Sequence, residues 1–330
     1  LIASLNVQAQ IGVDTTLKTA YELVTEYLVS GCIKVMNVSY TGSPAALGGF
    51  GSASGAFIFE QGLILATGKA TNAIGPDDDI GTINGVDLGY PGDPDLDNIT
   101  ASNQTYDACV IEFDFIPSVD TIRFNYIYSS EEYPENVCSD TNDVIGIFIS
   151  GPGVPFTNLA VIPGTTIPVN ANSVNSGTAG TCPTCNYCLS LAYDGLYAGG
   201  NTAWMQYDGF TEILEAKSWV SPCQTYHMKI CIADGGDGFY DSGLFLEAGS
   251  LGEPIVPTGK NYSTVGSDND IYEGCDNYYV FTRPGTSGMA TAYTFDILIT
   301  GNATNGVDYS SFPTTITIPM GDLTDTVFYS

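Results

Sequence analysis

The chain has 330 residues and carries 37 Asp and Glu against 8 Lys and Arg, a formal net charge of -29. Such a surface repels nucleic acid and anionic lipid, and with 44% hydrophobic and only 14% charged residues the chain is not a disordered one. Its 21 Tyr and 38 Gly give it the composition of a folded, β-rich secreted protein.

In chain order, the opening LIASLNVQAQ has an apolar run from Leu1 to Val7 and a small-residue site at Val7-Gln8-Ala9. Residues 1–9 are therefore expected to be a signal-peptide remnant cleaved before Gln10. No other stretch is apolar enough to span a bilayer, so export without membrane insertion is expected. Residues 15–30 place Leu17, Tyr21, Leu23, Val24, Tyr27 and Leu28 at helical spacing, the one helix predicted. Short alternating runs then take over. Residues 56–59 and 63–66 are expected to pair as a hairpin turning at Gln61-Gly62. A long polar loop, 70–105, holds Pro76-Asp77-Asp78-Asp79 and the alternation Asp93, Asp95, Asp97. Strands are predicted over 108–116, 121–128, 143–149, 209–215, 224–232 and 243–247. Many strands without intervening helices predict an all-β fold, an antiparallel, jelly-roll-like β-sandwich spanning 10–250. The stretch 164–201 is too long for a hairpin and is expected to be a disulfide-stapled insertion. A Pro/Gly linker at 251–260 leads to a smaller, Ig-like sandwich over 261–330, with strands around 278–281, 293–299 and 314–318.

Nine cysteines fit an oxidising compartment. The disulfide candidates are Cys32, Cys109, Cys138, Cys182, Cys185, Cys188, Cys223 and Cys231, with Cys275 left over. The run Cys182-Pro-Thr-Cys185-Asn-Tyr-Cys188 has metal-like spacing. A structural zinc site needs four ligands, however, and His227 is the single histidine, in a strand that reads as core.

Two acidic constellations carry the chemistry. The first is Ser129-Ser130-Glu131-Glu132-Tyr133-Pro134-Glu135 with Ser139-Asp140-Thr141-Asn142-Asp143, lying between two predicted strands. The second is Asp234-Gly-Gly-Asp237-Gly-Phe-Tyr-Asp241-Ser242-Gly243. Carboxylates held close together do not all stay ionised without a cation. Calcium accepts six to eight oxygens in irregular geometry, so mixed Asp, Asn and Glu loops suit it. Glu131, Glu132, Asp140, Asn142, Asp143, Asp234, Asp237 and Asp241 are the candidate Ca2+ ligands, against the plainer alternative of solvated turns. A glycoside hydrolase would use Glu131 or Glu132 as acid with Asp143 or Asp241 as partner. A serine triad has only His227 to draw on.

These residues resemble those of the bacterial choice-of-anchor L domain. The likeness runs from Leu23-Val24, Gly31-Cys32 and Asn37-Val38-Ser39-Tyr40-Thr41-Gly42 through Gly62-Leu63-Ile64-Leu65-Ala66-Thr67-Gly68. It continues in Tyr128-Ser129-Ser130-Glu131-Glu132-Tyr133, in Asn142-Asp143-Val144-Ile145-Gly146 with Ile147-Phe148-Ile149-Ser150-Gly151-Pro152, and in Asp241-Ser242-Gly243-Leu244-Phe245-Leu246-Glu247. The resemblance covers about residues 12–250. It implies an exported surface adhesin without enzymatic activity, handled by a type IX secretion machinery through a further C-terminal region. The second unit is similar to a Calx-β domain in Gly301-Asn302-Ala303-Thr304-Asn305-Gly306-Val307-Asp308-Tyr309. That likeness places Glu273 and Asp308 where its relatives hold calcium. The expected role is a non-catalytic, calcium-stabilised recognition module for an extracellular glycan or surface protein. A self-associating filament subunit is the alternative.

Overall fold

A computed structural model describes residues 10–30, 33–52, 57–77, 87–100, 104–139, 141–176, 197–199, 204–251, 258–263, 277–282, 292–297, 299, 304–322 and 324–329. The chain divides into two compact units, Leu1–Pro254 and Ile255–Ser330.

The first unit is an antiparallel two-sheet sandwich. One sheet runs in the order β1 (Ile11–Asp14), β3 (Leu47–Ser52), β4 (Gln61–Ala66), β13 (Ser242–Glu247), β6 (Thr121–Ser130), β10 (Gly209–Thr211), β9 (Tyr197–Gly199), with β11 (Leu214–Trp219) also on β6. The other runs β2 (Lys34–Thr41), β5 (Thr105–Ile116), β12 (Tyr226–Gly235), β7 (Val144–Gly151), β8 (Val154–Asn158). Period-two alternation sends every second side chain inward. Ile111, Phe113 and Phe115 of β5, Tyr226, Met228, Ile230 and Ile232 of β12, and Phe124, Tyr126 and Tyr128 of β6 meet in one core. This burial is the main stabilising term, at about 25 cal/mol per Å² of apolar surface.

The outward faces are covered as well. Phe245 of β13 and Ile127 of β6 pack under Phe57, Phe59, Ala73 and Met205 on the outside of the first sheet. Val110, Phe148, Cys231 and Ala233 pack under Leu96 on the outside of the second. Leu96 belongs to a single helical turn, α2 (Pro94–Asp97), whose N-cap Asp93 accepts from the Asp95 and Leu96 amides. The Asp93, Asp95, Asp97 alternation is therefore a helix start inside the polar loop. Asp93 and Asp95 also grip the buried ammonium of Lys229, at 2.7 and 2.6 Å.

The predicted helix is shorter than its periodicity. α1 (Ala20–Glu22) starts at a Thr19–Glu22 capping box and continues as π-helical turns over Leu23–Leu28 that bury Leu23, Val24 and Leu28. Three sequence readings are corrected. Residues 57–60 form no strand, and Gln61-Gly62 open β4, which pairs with β3 and β13 instead. The alternation there is real, since Phe57 and Phe59 are buried and Ile58 is exposed, but it serves a covering segment rather than a ladder. The 209–215 run splits into β10 and β11, which share β6 along its length. His227 faces outward from β12, where its Nδ1 and Nε2 lie 2.9 Å from Asp114 and 3.4 Å from Glu112.

The disulfide expectation fails for Cys109, Cys223 and Cys231, which are free thiols. Cys109 and Cys231 sit one register step apart on β5 and β12, so one points into the core and the other out of it. Cys138 is not a free thiol. Cys32, Cys182, Cys185, Cys188 and Cys275, most of the 164–201 insertion and residues 1–9 lie outside the described residues. In the second unit, β14 (Thr258–Ser263), β15 (Asn277–Thr282) and β18 (Thr324–Tyr329) form one sheet and β16 (Tyr293–Asp296) with β17 (Thr315–Ile318) another, around Phe281, Ile316 and Ile318.

Candidate functional site

The chain crosses between the two sheets of the sandwich at β6–β7 and at β12–β13, and both acidic constellations lie on these crossings. Ser130, the last residue of β6, pairs with Ser242, the first of β13. Val144, the first residue of β7, pairs with Ala233 near the end of β12. The Glu131 amide donates to the Asp241 carbonyl at 3.1 Å, tying the two crossings together. Register alone thus gathers acids that are a hundred residues apart in sequence.

Glu131, Glu132, Asp143, Asp234 and Asp241 are each at most 2% exposed. Asp143 is the hub. Its Oδ1 accepts from the Gly235 amide at 3.0 Å and its Oδ2 from the Ser242 hydroxyl at 2.5 Å, while its own amide donates to Glu132 Oε2 at 3.1 Å. Gly235 is required here, because a Cβ would sit 2.0 Å from the Asn142 carbonyl oxygen. The Asp241 carboxylate lies directly over Gly68, where a Cβ would fall 1.6 Å from Oδ2, and receives one long hydrogen bond, 3.5 Å, from the Asn72 amide. Among the described residues, neither carboxylate oxygen of Asp234 accepts a well-formed hydrogen bond. The Thr67 hydroxyl lies close enough to ease its charge, and that hydroxyl already accepts from the Ser242 amide at 2.9 Å. Tyr207 walls the site with its ring against Gly243, and its buried hydroxyl has no hydrogen-bond partner among the described residues.

The electrostatics follow from this burial. Loss of water pushes the carboxyls of Glu132, Asp143 and Asp234 well above their ordinary range, and the charges of neighbouring acids push the same way. Asp241 rises to about 7, first through burial and then through the charge of Asp107. Among the described residues, the charges that act on these four carboxyls are those of other acids.

The remaining candidates are placed differently. Asn142 spends its amide oxygen on the Asn172 amide, at 3.0 Å. Asp237 is half-buried and closes its own turn through the Phe239 amide, though its charge reaches Glu132 and Asp143. Asp308, in the second unit, is exposed and accepts from the Thr304 amide within a turn. Asp140 and Glu273 lie outside the described residues. Among the described residues, no three carboxylate, imidazole or thiol groups converge tightly enough to form a ready-made cation cage.

Sequence reasoning missed Thr67, Gly68, Asn72 and Tyr207, which carry no charge pattern. The available signal was Gly68 itself, a glycine in a bend two residues past the end of β4.

A family model described as the choice-of-anchor L domain matches residues 12–252, the span that builds both sheets and both acidic crossings. No curated protein matches the chain. With the match extending over well more than half of its length, the chain belongs to the choice-of-anchor L family.

Proposed function

We propose that this chain is a non-catalytic recognition and adhesion module, and that a calcium ion clasps its β6–β7 and β12–β13 crossings together. Family membership makes it a surface-associated or secreted module, and among the described residues no helix is long and apolar enough to cross a membrane. The observation that carries the calcium reading is Asp234. A carboxylate 1% exposed, with neither oxygen well hydrogen-bonded and with Asp143 and Asp241 acting on it, is costly in either protonation state. A cation removes that cost by taking the charges as ligands. It would draw Asp143, Asp234 and Asp241 inward, with Glu131 and Glu132 beside them.

Glycoside hydrolysis is the weaker reading. Carboxyls at most 2% exposed offer no face to a polysaccharide. The loop that carries Cys138 ties to Asn172, which accepts from the Cys138 amide and donates to the Ser139 carbonyl at 2.7 Å. The calcium clasp is tested by melting the protein in chelator and in millimolar calcium. A rise of several degrees with calcium, not reproduced by magnesium, is expected, and coincident melts would overturn it.

A further inference from the structure

On the outer layer of the first sheet lies a pocket of about 330 Å³. Its wall is aromatic. Phe57 and Phe210 flank Trp204 with ring centroids 5.1 and 5.2 Å from it, and Ile127 forms part of the lining. Two branched residues at its rim stay in water, Ile58 at 63% and Ile213 at 39% exposed. Besides the indole N–H of Trp204, only Thr211 and Glu212 bring polar side-chain groups to the lining. The buried Thr211 hydroxyl accepts from the Tyr128 amide at 3.2 Å. Glu212 is exposed and makes no hydrogen bond or ion pair among the described residues.

Each feature narrows the occupant. The volume falls at the low end for a specific pocket, enough for one ring or branched side chain and its attachment. The lining offers too few donors and acceptors for a sugar, whose hydroxyls each need a partner. The mouth carries one uncompensated carboxylate on a chain of net charge -29, which repels an anion and attracts a cation. We infer that this pocket receives an aromatic or branched apolar side chain of a partner polypeptide, with an adjacent basic residue meeting Glu212. Aromatic rings in the pocket anchor the apolar group, and the exposed ion pair supplies selectivity more than affinity.

The chain has 2 Trp. Replacing the exposed Trp219 by Phe leaves Trp204 as the only indole, whose fluorescence reports the pocket. The probes are capped tetrapeptides Gly-Phe-Lys-Gly, Gly-Phe-Gln-Gly and Gly-Phe-Glu-Gly, with cellobiose as the sugar. The lysine peptide is expected to saturate the signal with about threefold tighter binding than the glutamine peptide, the range of an exposed ion pair, and the glutamate peptide to bind weakest. Glu212→Gln, at an exposed position, is expected to erase the lysine preference while leaving the glutamine peptide unchanged. Ile213→Ser is expected to weaken all three. A peptide order indifferent to Glu212→Gln, saturation by cellobiose instead, or no saturation by any peptide would overturn the assignment. None of these outcomes depends on calcium, so this site and the clasp stand or fall separately.

Discussion

Replacing Asp234 by Asn separates a calcium ligand from a merely buried polar group. The substitution keeps the shape and removes the charge at a position 1% exposed. In chelator the wild-type carboxylate must stay protonated or sit charged among Asp143 and Asp241, so the amide should leave stability unchanged or raise it. In calcium the sign reverses, because a ligand is lost. At a hundredfold excess of calcium over Kd, binding stabilises the wild type by about 2.7 kcal/mol. In a domain of this size, each kcal/mol moves the midpoint by about 2–4 °C. Wild type should therefore gain roughly 5–11 °C on adding calcium, and Asp234→Asn should lose most of that gain. Differential scanning calorimetry of both proteins, each in chelator and in calcium, checks this. Equal loss of stability for Asp234→Asn in both buffers would refute the reasoning, because the residue would then be acting as packing alone.

Three further outcomes follow from the same geometry. With chelator present, stability should be fully present below the ordinary carboxyl range and fall as pH rises through about 7, where Asp241 ionises in the folded state. A urea series from pH 5.5 to 8.5 measures this, and calcium should flatten or invert the trend. Gly68→Ala places a methyl where Asp241 Oδ2 now lies. Because the clash is with the end of a side chain, the fold should survive within about 1–2 kcal/mol while the calcium-induced shift shrinks, as paired melts would show. Lys229→Met strands Asp93 and Asp95 without their cation, and should cost about 3–5 kcal/mol in urea unfolding, with early hydrogen exchange at Leu96.

The sandwich was legible because its strands alternate with few interruptions, and runs such as 108–116 and 121–128 became β5 and β6 with longer ends. The hairpin at 56–66 misled because burial of Phe57 and Phe59 has the same period whether the segment is laddered or lies across a sheet. The acids were readable as two clusters, and Asp143, Asp234 and Asp241 do act on one another. That the clusters belong to one place was not readable, because it depends on Ser130 pairing with Ser242 across more than a hundred residues. Asp93 and Asp95 show the converse. Their alternation was legible only as part of a polar loop, and their partner Lys229 lies on a strand far along the chain. The free state of Cys109 and Cys231 turns on which face of β5 and β12 each occupies, a one-residue distinction that cysteine counting does not contain.

The order β1-β3-β4-β13 in the first sheet also decides how the unit answers a pull along its chain. Ile11 pairs with Ser52, the Ser52 amide donates to the Glu60 carbonyl, and the Ala248 amide donates to the Gln61 carbonyl, so residues 11 and 248 leave from the same end of the sheet. Force applied between them runs across the strands rather than along them. The β1–β3 ladder then opens one rung at a time from Ile11, four paired residues in all, instead of resisting as a block in shear. Peeling β1 would also break the bond from the Ile11 amide to the Trp204 carbonyl, and it would bare Ile11 and Phe50.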